Sequence, residues 1–335
     1  MRALVIGGTR FLGRYLVDEL LASNHYVTLF NRGVTQPDAY PSVEKIQGDR
    51  HSDIDLLAAR EWDVIFDTCG YFPAVVARNA DVLEHLADCY VFVSSISVYA
   101  DLSLPRLNEL SDTVELSKNA DPDMDDPTTY GARKALCELA VEVGFPQKHL
   151  FVRPGILTGP GDYSGRFCYW LQRIAQGGEV LAADHKDRPL QFIDVRDLAM
   201  WMVRMVEQGE YGVYNTVGPE TSYTMGQFLA DCQLILGSEC AVTWVDEEFL
   251  VDQGVEPWQG LPLWIPESLG GLMEISSTKA RDKGLSFRPV SSTIRDTWTW
   301  MQEEQEPLFE QAGNWIAPNK EQEVLAAWKK FQEKG

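Results

Sequence analysis

The chain has 335 residues, of which 45% are hydrophobic, and its 29 basic against 50 acidic side chains give a formal net charge of −21. That length can bury a large core, as one big domain or two lobes. So negative a surface repels phosphate backbones and anionic membranes, which argues against general nucleic-acid or membrane binding, and no apolar run approaches the roughly 20 residues that span a bilayer.

Ala3–Ile6 is a short apolar run that fits a buried strand, beginning so close to Met1 that no signal peptide is expected. The stretch Gly7-Gly8-Thr9-Arg10-Phe11-Leu12-Gly13 then turns into a helix with apolar residues at Leu12, Leu16, Leu20 and Leu21, and Tyr26–Phe30 is a second strand. Strand, glycine turn, helix and strand in that order predict a dinucleotide site: glycines admit a pyrophosphate to the backbone, and the helix N-terminus offers free N–H groups. Where an acid would bind the ribose 2′-hydroxyl of NAD, the sequence has Asn31 and Arg32. Without a carboxylate nothing repels a 2′-phosphate, and Arg32, with Arg10, can pair with one, so NADP is expected, with NAD as the alternative.

Further strands are expected at Val43–Ile46, Trp62–Phe66 and Tyr90–Val93, with a helix from Pro73 to Leu86. Such alternation means a doubly wound parallel sheet, in which the glycine turn, the Asp67–Tyr71 loop and the Ser94–Tyr99 loop converge on one crevice. Residues 101–126 are acidic and without pattern, as a lid would be. Asp126–Pro127 starts a helix with an apolar stripe at Leu136, Leu139, Ala140 and Val143, on which Tyr130 and Lys134 share a face. A strand at Leu150–Val152, the run Arg153–Asp162, the run Phe192–Leu198 before a helix, and a strand at Val213–Gly218 follow. Helices and irregular stretches take over from about 219, with a helix at Glu321–Phe331. Trp258 and Trp264 suit a lobe core better than a pocket lining. The six cysteines lack CxxC spacing, as reduced cytoplasmic thiols would, and the five histidines are too dispersed for a metal site.

Tyr130 and Lys134, joined by Ser95 from a strand end, make a proton-transfer site. A free tyrosine has a pKa near ~10; a neighbouring ammonium would lower it, and a serine hydroxyl would steady the charge developing on a substrate oxygen.

With GGTRFLG, SSISVY, YGARK, RPGILTGPGD and FIDVRDLA in place over residues 1–220, the chain resembles the extended short-chain dehydrogenases/reductases of the NAD-dependent epimerase/dehydratase family. GGTR and TLFNRG look most like the branch that includes the chloroplast stem-loop-binding proteins. The resemblance implies an α/β, Rossmann-type fold: a dinucleotide-binding core over 1–160 and a smaller C-terminal substrate lobe over 161–335, with segments around 190–218 returning to the core. It maps the catalytic roles onto Ser95, Tyr130 and Lys134. It places Gly7, Thr9, Arg10, Phe11, Leu12 and Gly13 at the pyrophosphate, Asn31 and Arg32 at the adenosine ribose, and Asp49 and Arg50 beside the adenine. Cys69, Gly70 and Pro154 join Tyr130 and Lys134 among the cofactor contacts. Nucleotide-sugar enzymes of the family carry an asparagine where this chain has Ile156, and an arginine where it has Leu190–Gln191. The expected function is therefore a cytoplasmic NADP(H)-preferring reductase or epimerase working on a hydroxyl or ketone of a small polar molecule. A nucleotide-sugar epimerase or dehydratase, and a cofactor-bound regulatory or RNA-associated protein without turnover, are the alternatives. The resemblance also implies a homodimer formed through the Tyr130 helix and the helix at 73–86.

Overall fold

A computed structural model describes residues 1–184, 186–303 and 315–334. The first half runs β1 (Arg2–Ile6), α1 (Leu12–Ala22), β2 (Tyr26–Asn31), β3 (Glu44–Gln47), β4 (Val64–Asp67), α2 (Pro73–Leu83), β5 (Tyr90–Val93), α3 (Tyr130–Gly144) and β6 (His149–Pro154). Then come β7 (Ile156–Thr158), α4 (Arg166–Ala175), β8 (Glu179–Ala183), β9 (Phe192–Asp194), α5 (Val195–Glu207) and β10 (Gly212–Thr216). The remainder holds α6 (Met225–Leu236), β11 (Ala241–Val245), α7 (Glu247–Asp252), α8 (Thr278–Asp282), α9 (Val290–Glu303) and α10 (Pro318–Gln332).

Seven parallel strands form the main sheet in the order β10-β6-β5-β4-β1-β2-β3. Chain order reverses between β1 and β4, and in such sheets ligands bind beyond the strand carboxyl ends at that point. The central strands read as unbroken apolar runs because both faces are covered. On one face Leu16 and Leu20 of α1 and Trp201 and Met202 of α5 pack on Val5 and Val91; on the other, Val76 and Leu83 of α2 and Cys137 and Val141 of α3 pack on Leu4, Ile65 and Phe92.

After β6 the chain leaves the sheet for α4 and β8, returns through α5 and β10, and leaves again. A second core gathers Trp170, Phe228, Leu261, Trp264 and Ile294 around the two-stranded β8–β11 sheet, while β7 and β9 pair separately. The buried Glu321 of α10 fastens the end of the chain to this lobe, accepting from Arg173 Nε (2.7 and 3.0 Å) and from the Leu181 N–H.

Two expectations need revision. The helix from Pro73 stops at Leu83, because Leu86 turns back on Leu83 and its carbonyl accepts from the Trp62 N–H. Leu139 and Val143 in the apolar stripe of α3 are 57% and 82% exposed, whereas the buried face carries Lys134, Cys137 and Val141. The stretch 101–126 is not a cover over the dinucleotide crevice. Its first half is tied to the second lobe and to β10, through Arg106 N–H to Glu274 O, Ser276 N–H to Leu107 O and Asn215 N–H to Glu109 Oε1.

Candidate functional site

A cleft of about 660 Å³ lies beyond the strand ends and reaches from the glycine turn to the second lobe. Gly7 and Gly8 hold φ of 110° and 87°, which side-chain-bearing residues rarely adopt. A Cβ at Gly7 would stand 2.5 Å from Thr68 Oγ1, and one at Gly13 2.9 Å from the Gly8 backbone. The turn is therefore tight against both β4 and α1. No side chain caps α1 and no acid sits in its first turn, so its positive end is left for an anion. Arg10 lies over the Tyr163 ring, its guanidinium carbon 3.6 Å from the centroid.

Asn31 ends β2 at the expected place, but both ends of its amide are engaged. Nδ2 donates to the Gly7 carbonyl (2.8 Å) and Oδ1 accepts from the Gly33 N–H (2.9 Å), so it joins two turns rather than pointing at a ribose. Arg32 is exposed at the cleft mouth. Asp49 lines the wall and accepts from the His51 N–H. Arg50 also lines the cleft, yet its guanidinium is committed below it, with Nη1 and Nη2 2.6 and 2.8 Å from the two oxygens of the fully buried Asp67. Tyr90 Oη donates to the same carboxylate (2.9 Å). Burial would raise the Asp67 carboxyl, but the guanidinium overrides it and holds the group below the usual carboxylate range. This ion pair, 17 residues apart in sequence, forms the cleft floor.

Ser95, Tyr130 and Lys134 meet at the far end. Ser95 follows β5 and accepts from the Ser97 N–H (3.1 Å). Asp126 accepts from the Thr128 N–H (2.8 Å) to start the turn that leads into α3 at Tyr130. Gly131 lets that helix come close: a Cβ there would lie 2.1 Å from the Ser97 carbonyl oxygen. The Tyr130 pKa is raised, by burial first, with a hydrogen bond from Ser95 opposing it; Tyr163 raises it further, and Arg166 and Arg133 lower it.

The expected lowering of Tyr130 by Lys134 is not the arrangement found. Lys134 is 2% exposed, and its Nζ donates to the carbonyls of Gly70 (2.6 Å) and Val93 (2.7 Å), 4.1 Å from the Phe92 ring centroid. Burial brings its own pKa down to about 8. Thr9, Phe11, Leu12, Cys69 and Pro154 also line the cleft, whereas Gly70 lies behind the wall and contributes its carbonyl to Lys134.

Sequence reasoning missed the second lobe's share: Asp162, Tyr163, Arg166 and Trp258. Asp162 is 1% exposed; its Oδ1 accepts from the Ser164 N–H (2.8 Å) and its Oδ2 has no partner among the described residues. Burial pushes this carboxyl up to about 6. Trp258 lines the cleft while Trp264 is core.

A parallel α/β sheet with a glycine turn at its switch point defines a dinucleotide-binding protein of the Rossmann class. The chain belongs to the NAD dependent epimerase/dehydratase family, whose model matches residues 3–217. It is 25% identical over 238 residues to the chloroplast stem-loop binding protein of 41 kDa b from Arabidopsis thaliana, a match covering 65% of this chain and 58% of that one. A shorter stretch of 68 residues is 40% identical to a 3β-hydroxysteroid dehydrogenase/Δ5→4-isomerase of Mycobacterium tuberculosis and covers 20% of this chain and 18% of that one. Among solved structures, the Bordetella bronchiseptica enzyme WbmG in complex with NAD and UDP superimposes with a TM-score of 0.68 at 14% identity, over 94% and 97% of the two chains. The UDP-N-acetylglucosamine 4-epimerase of Bacillus cereus gives 0.65 at 16% identity, over 90% and 99%. At such identities the likeness is one of fold. Family membership implies a nicotinamide dinucleotide cofactor, and the residues present fit one: a cradle at Gly7 and Gly13 that a Cβ would fill, beside an uncapped helix end. No helix among the described residues is long and apolar enough to cross a membrane.

Proposed function

We propose that the protein is an NADP(H)-preferring reductase or epimerase acting on a hydroxyl or ketone of a small polar substrate. The observation that carries this is the meeting of Ser95, Tyr130 and Lys134 at one end of the cleft whose other end is the glycine turn. A nicotinamide dinucleotide bound there supplies or takes the hydride. Tyr130 Oη gives a proton to, or takes one from, the substrate oxygen. Ser95 Oγ hydrogen-bonds the same oxygen and steadies its charge. Lys134, with two of its three donors held by carbonyls, keeps the third for a ribose or for the tyrosine. A phenol raised by burial holds its proton, which favours Tyr130 as an acid toward a ketone. Arg32 at the mouth supports the NADP preference, and the Arg50–Asp67 pair gives the wall beneath it a fixed shape. We also propose a homodimer formed through α2 and the outer face of α3, and a division into a core over 1–160 and a substrate lobe over 161–335, with 190–218 returning to the core.

The test is Tyr130→Phe, which keeps the ring and removes the hydroxyl. Turnover should fall by roughly 10²–10⁴, the usual worth of a positioned acid or base, while dinucleotide affinity by fluorescence titration stays within a few-fold. A Phe variant that turns over near the wild-type rate would sink the mechanism.

A further inference from the structure

With a net charge of −21, many arginines here are held by carboxylates: Arg2 by Asp63, Arg78 by Asp55, Arg153 by Glu138 and Arg288 by Asp197. Among the described residues, three that line the cleft have no carboxylate at ion-pair distance: Arg10, Arg32 and Arg166. Arg10 and Arg32 stand at the dinucleotide end, beside the glycine turn and the end of β2. Arg166 does not. It opens α4, and its guanidinium carbon is 4.9 Å from the centroid of the Trp258 ring. Its positive charge acts on the Tyr130 hydroxyl and on the Asp162 carboxyl. Asp162 does not pair with it: neither of its oxygens lies at ion-pair distance, and Oδ1 accepts from the Ser164 N–H. A guanidinium laid on an indole keeps its edge N–H groups in a fixed fork that suits an oxyanion.

We propose that Arg166, supported by Trp258, is a specificity-determining residue that receives an oxyanion, a carboxylate or a phosphate, carried by the substrate whose hydroxyl or ketone reaches Tyr130. This rests on the oxidoreductase function proposed above and narrows its substrate to anionic hydroxy or keto compounds. Arg166 acts on Tyr130, where the substrate oxygen reacts, and is not among the residues proposed to hold the dinucleotide.

Calorimetric titration of the full chain loaded with NADP⁺ tests this, with inorganic phosphate and malonate as probes and glycerol as the neutral control. The wild type should bind at least one anion and not glycerol. Arg166→Gln should weaken that binding about tenfold or more, and Arg166→Lys should fall between. NADP⁺ affinity should stay within about twofold in every variant, which also shows that each is folded. A response to phosphate alone assigns a phosphate-bearing substrate, to malonate alone a carboxylate, and to both their shared chemistry. With NADP⁺ binding intact, a wild type that binds neither anion, or an Arg166→Gln variant that binds as well as the wild type, overturns this proposal alone. Failure of the wild type to bind any nicotinamide dinucleotide overturns the oxidoreductase function and this proposal with it.

Discussion

The floor of the cleft and its substrate end treat buried charge in opposite ways. Below the dinucleotide region Arg50 meets Asp67 in a two-pronged pair joined by Tyr90, and Arg153 of β6 meets Glu138 of α3 through Nε (2.9 Å) and Nη2 (2.6 Å), with its Nη1 on Tyr99 Oη. At the substrate end Lys134 faces carbonyls, Asp162 keeps an oxygen without a partner among the described residues, and Arg166 rests on an indole. Pairing drives a group's pKa away from neutrality and makes it structural. Burial not offset by a close ion pair moves Lys134 to about 8 and Asp162 to about 6, where a group can change its proton in use.

Breaking the floor should have the largest effect on stability. Asp67→Ala leaves Arg50 buried and unpaired, and should cost about 3–5 kcal/mol in urea unfolding. Replacing both by apolar residues of similar size, Arg50→Met with Asp67→Leu, should recover most of that loss. A double variant as unstable as the single would mean that the pair does more than cancel its own charges.

At the mouth, an unpaired charge is expected to recognise rather than support. Arg32→Ala should weaken NADPH binding by about 1.5–3 kcal/mol, roughly ten- to a hundredfold, and leave NADH binding nearly unmoved. Equal affinity of the wild type for the two cofactors would remove the NADP assignment.

Asp162 sharpens the comparison through pH. Its folded pKa lies above the unfolded value, so below about 4 both states are protonated and the group costs nothing. Between about 4 and 6 the unfolded chain loses the proton that the folded one keeps, and stability falls; above about 6 the full cost is present. Asp162→Asn, which keeps an acceptor for Ser164, should therefore raise stability by about 1–3 kcal/mol at pH 7 and by nearly nothing at pH 4. A gain independent of pH would show that the carboxyl is not buried in the way described.

The smallest stability effect belongs to α3, whose inner face is engaged and whose outer face is not. Val143→Glu should change the stability of a single chain by less than about 0.5 kcal/mol. If the outer face is the dimer contact, the same change should turn a dimer into a monomer by light scattering at micromolar concentration. A wild type already monomeric there ends the homodimer proposal.

These contrasts also explain what the sequence could tell. The run from Ala3 to Phe30 was legible because a buried parallel strand, a glycine turn and an amphipathic helix each leave their own local pattern. Tyr130 and Lys134 were legible because residues four apart on one helix share a face. The Arg50–Asp67 pair was not, since the two residues lie on separate elements and a paired arginine looks in sequence like a free one. Asp162 sits in an irregular stretch and Arg166 at the first residue of α4, with no period to mark either; only the burial of one and the lack of a carboxylate partner for the other, among the described residues, single them out. Strands β7, β8 and β9 span three to five residues each in two-stranded sheets, too short for periodicity to separate from loop. The outer stripe of α3 was legible only as apolar spacing, which shows that a face is to be covered but not by what.

One missing methyl group has a consequence of its own. Gly131 stands where any larger residue would press on the Ser97 carbonyl, so the separation between the β5 loop and α3 is gauged by the thickness of bare backbone. Ser95 and Tyr130 stand on the two sides of that contact. A side chain at 131 would act as a shim, parting the two hydroxyls while leaving both intact. The same reactive groups would then be present at the wrong distance, a defect that no inventory of side chains would reveal.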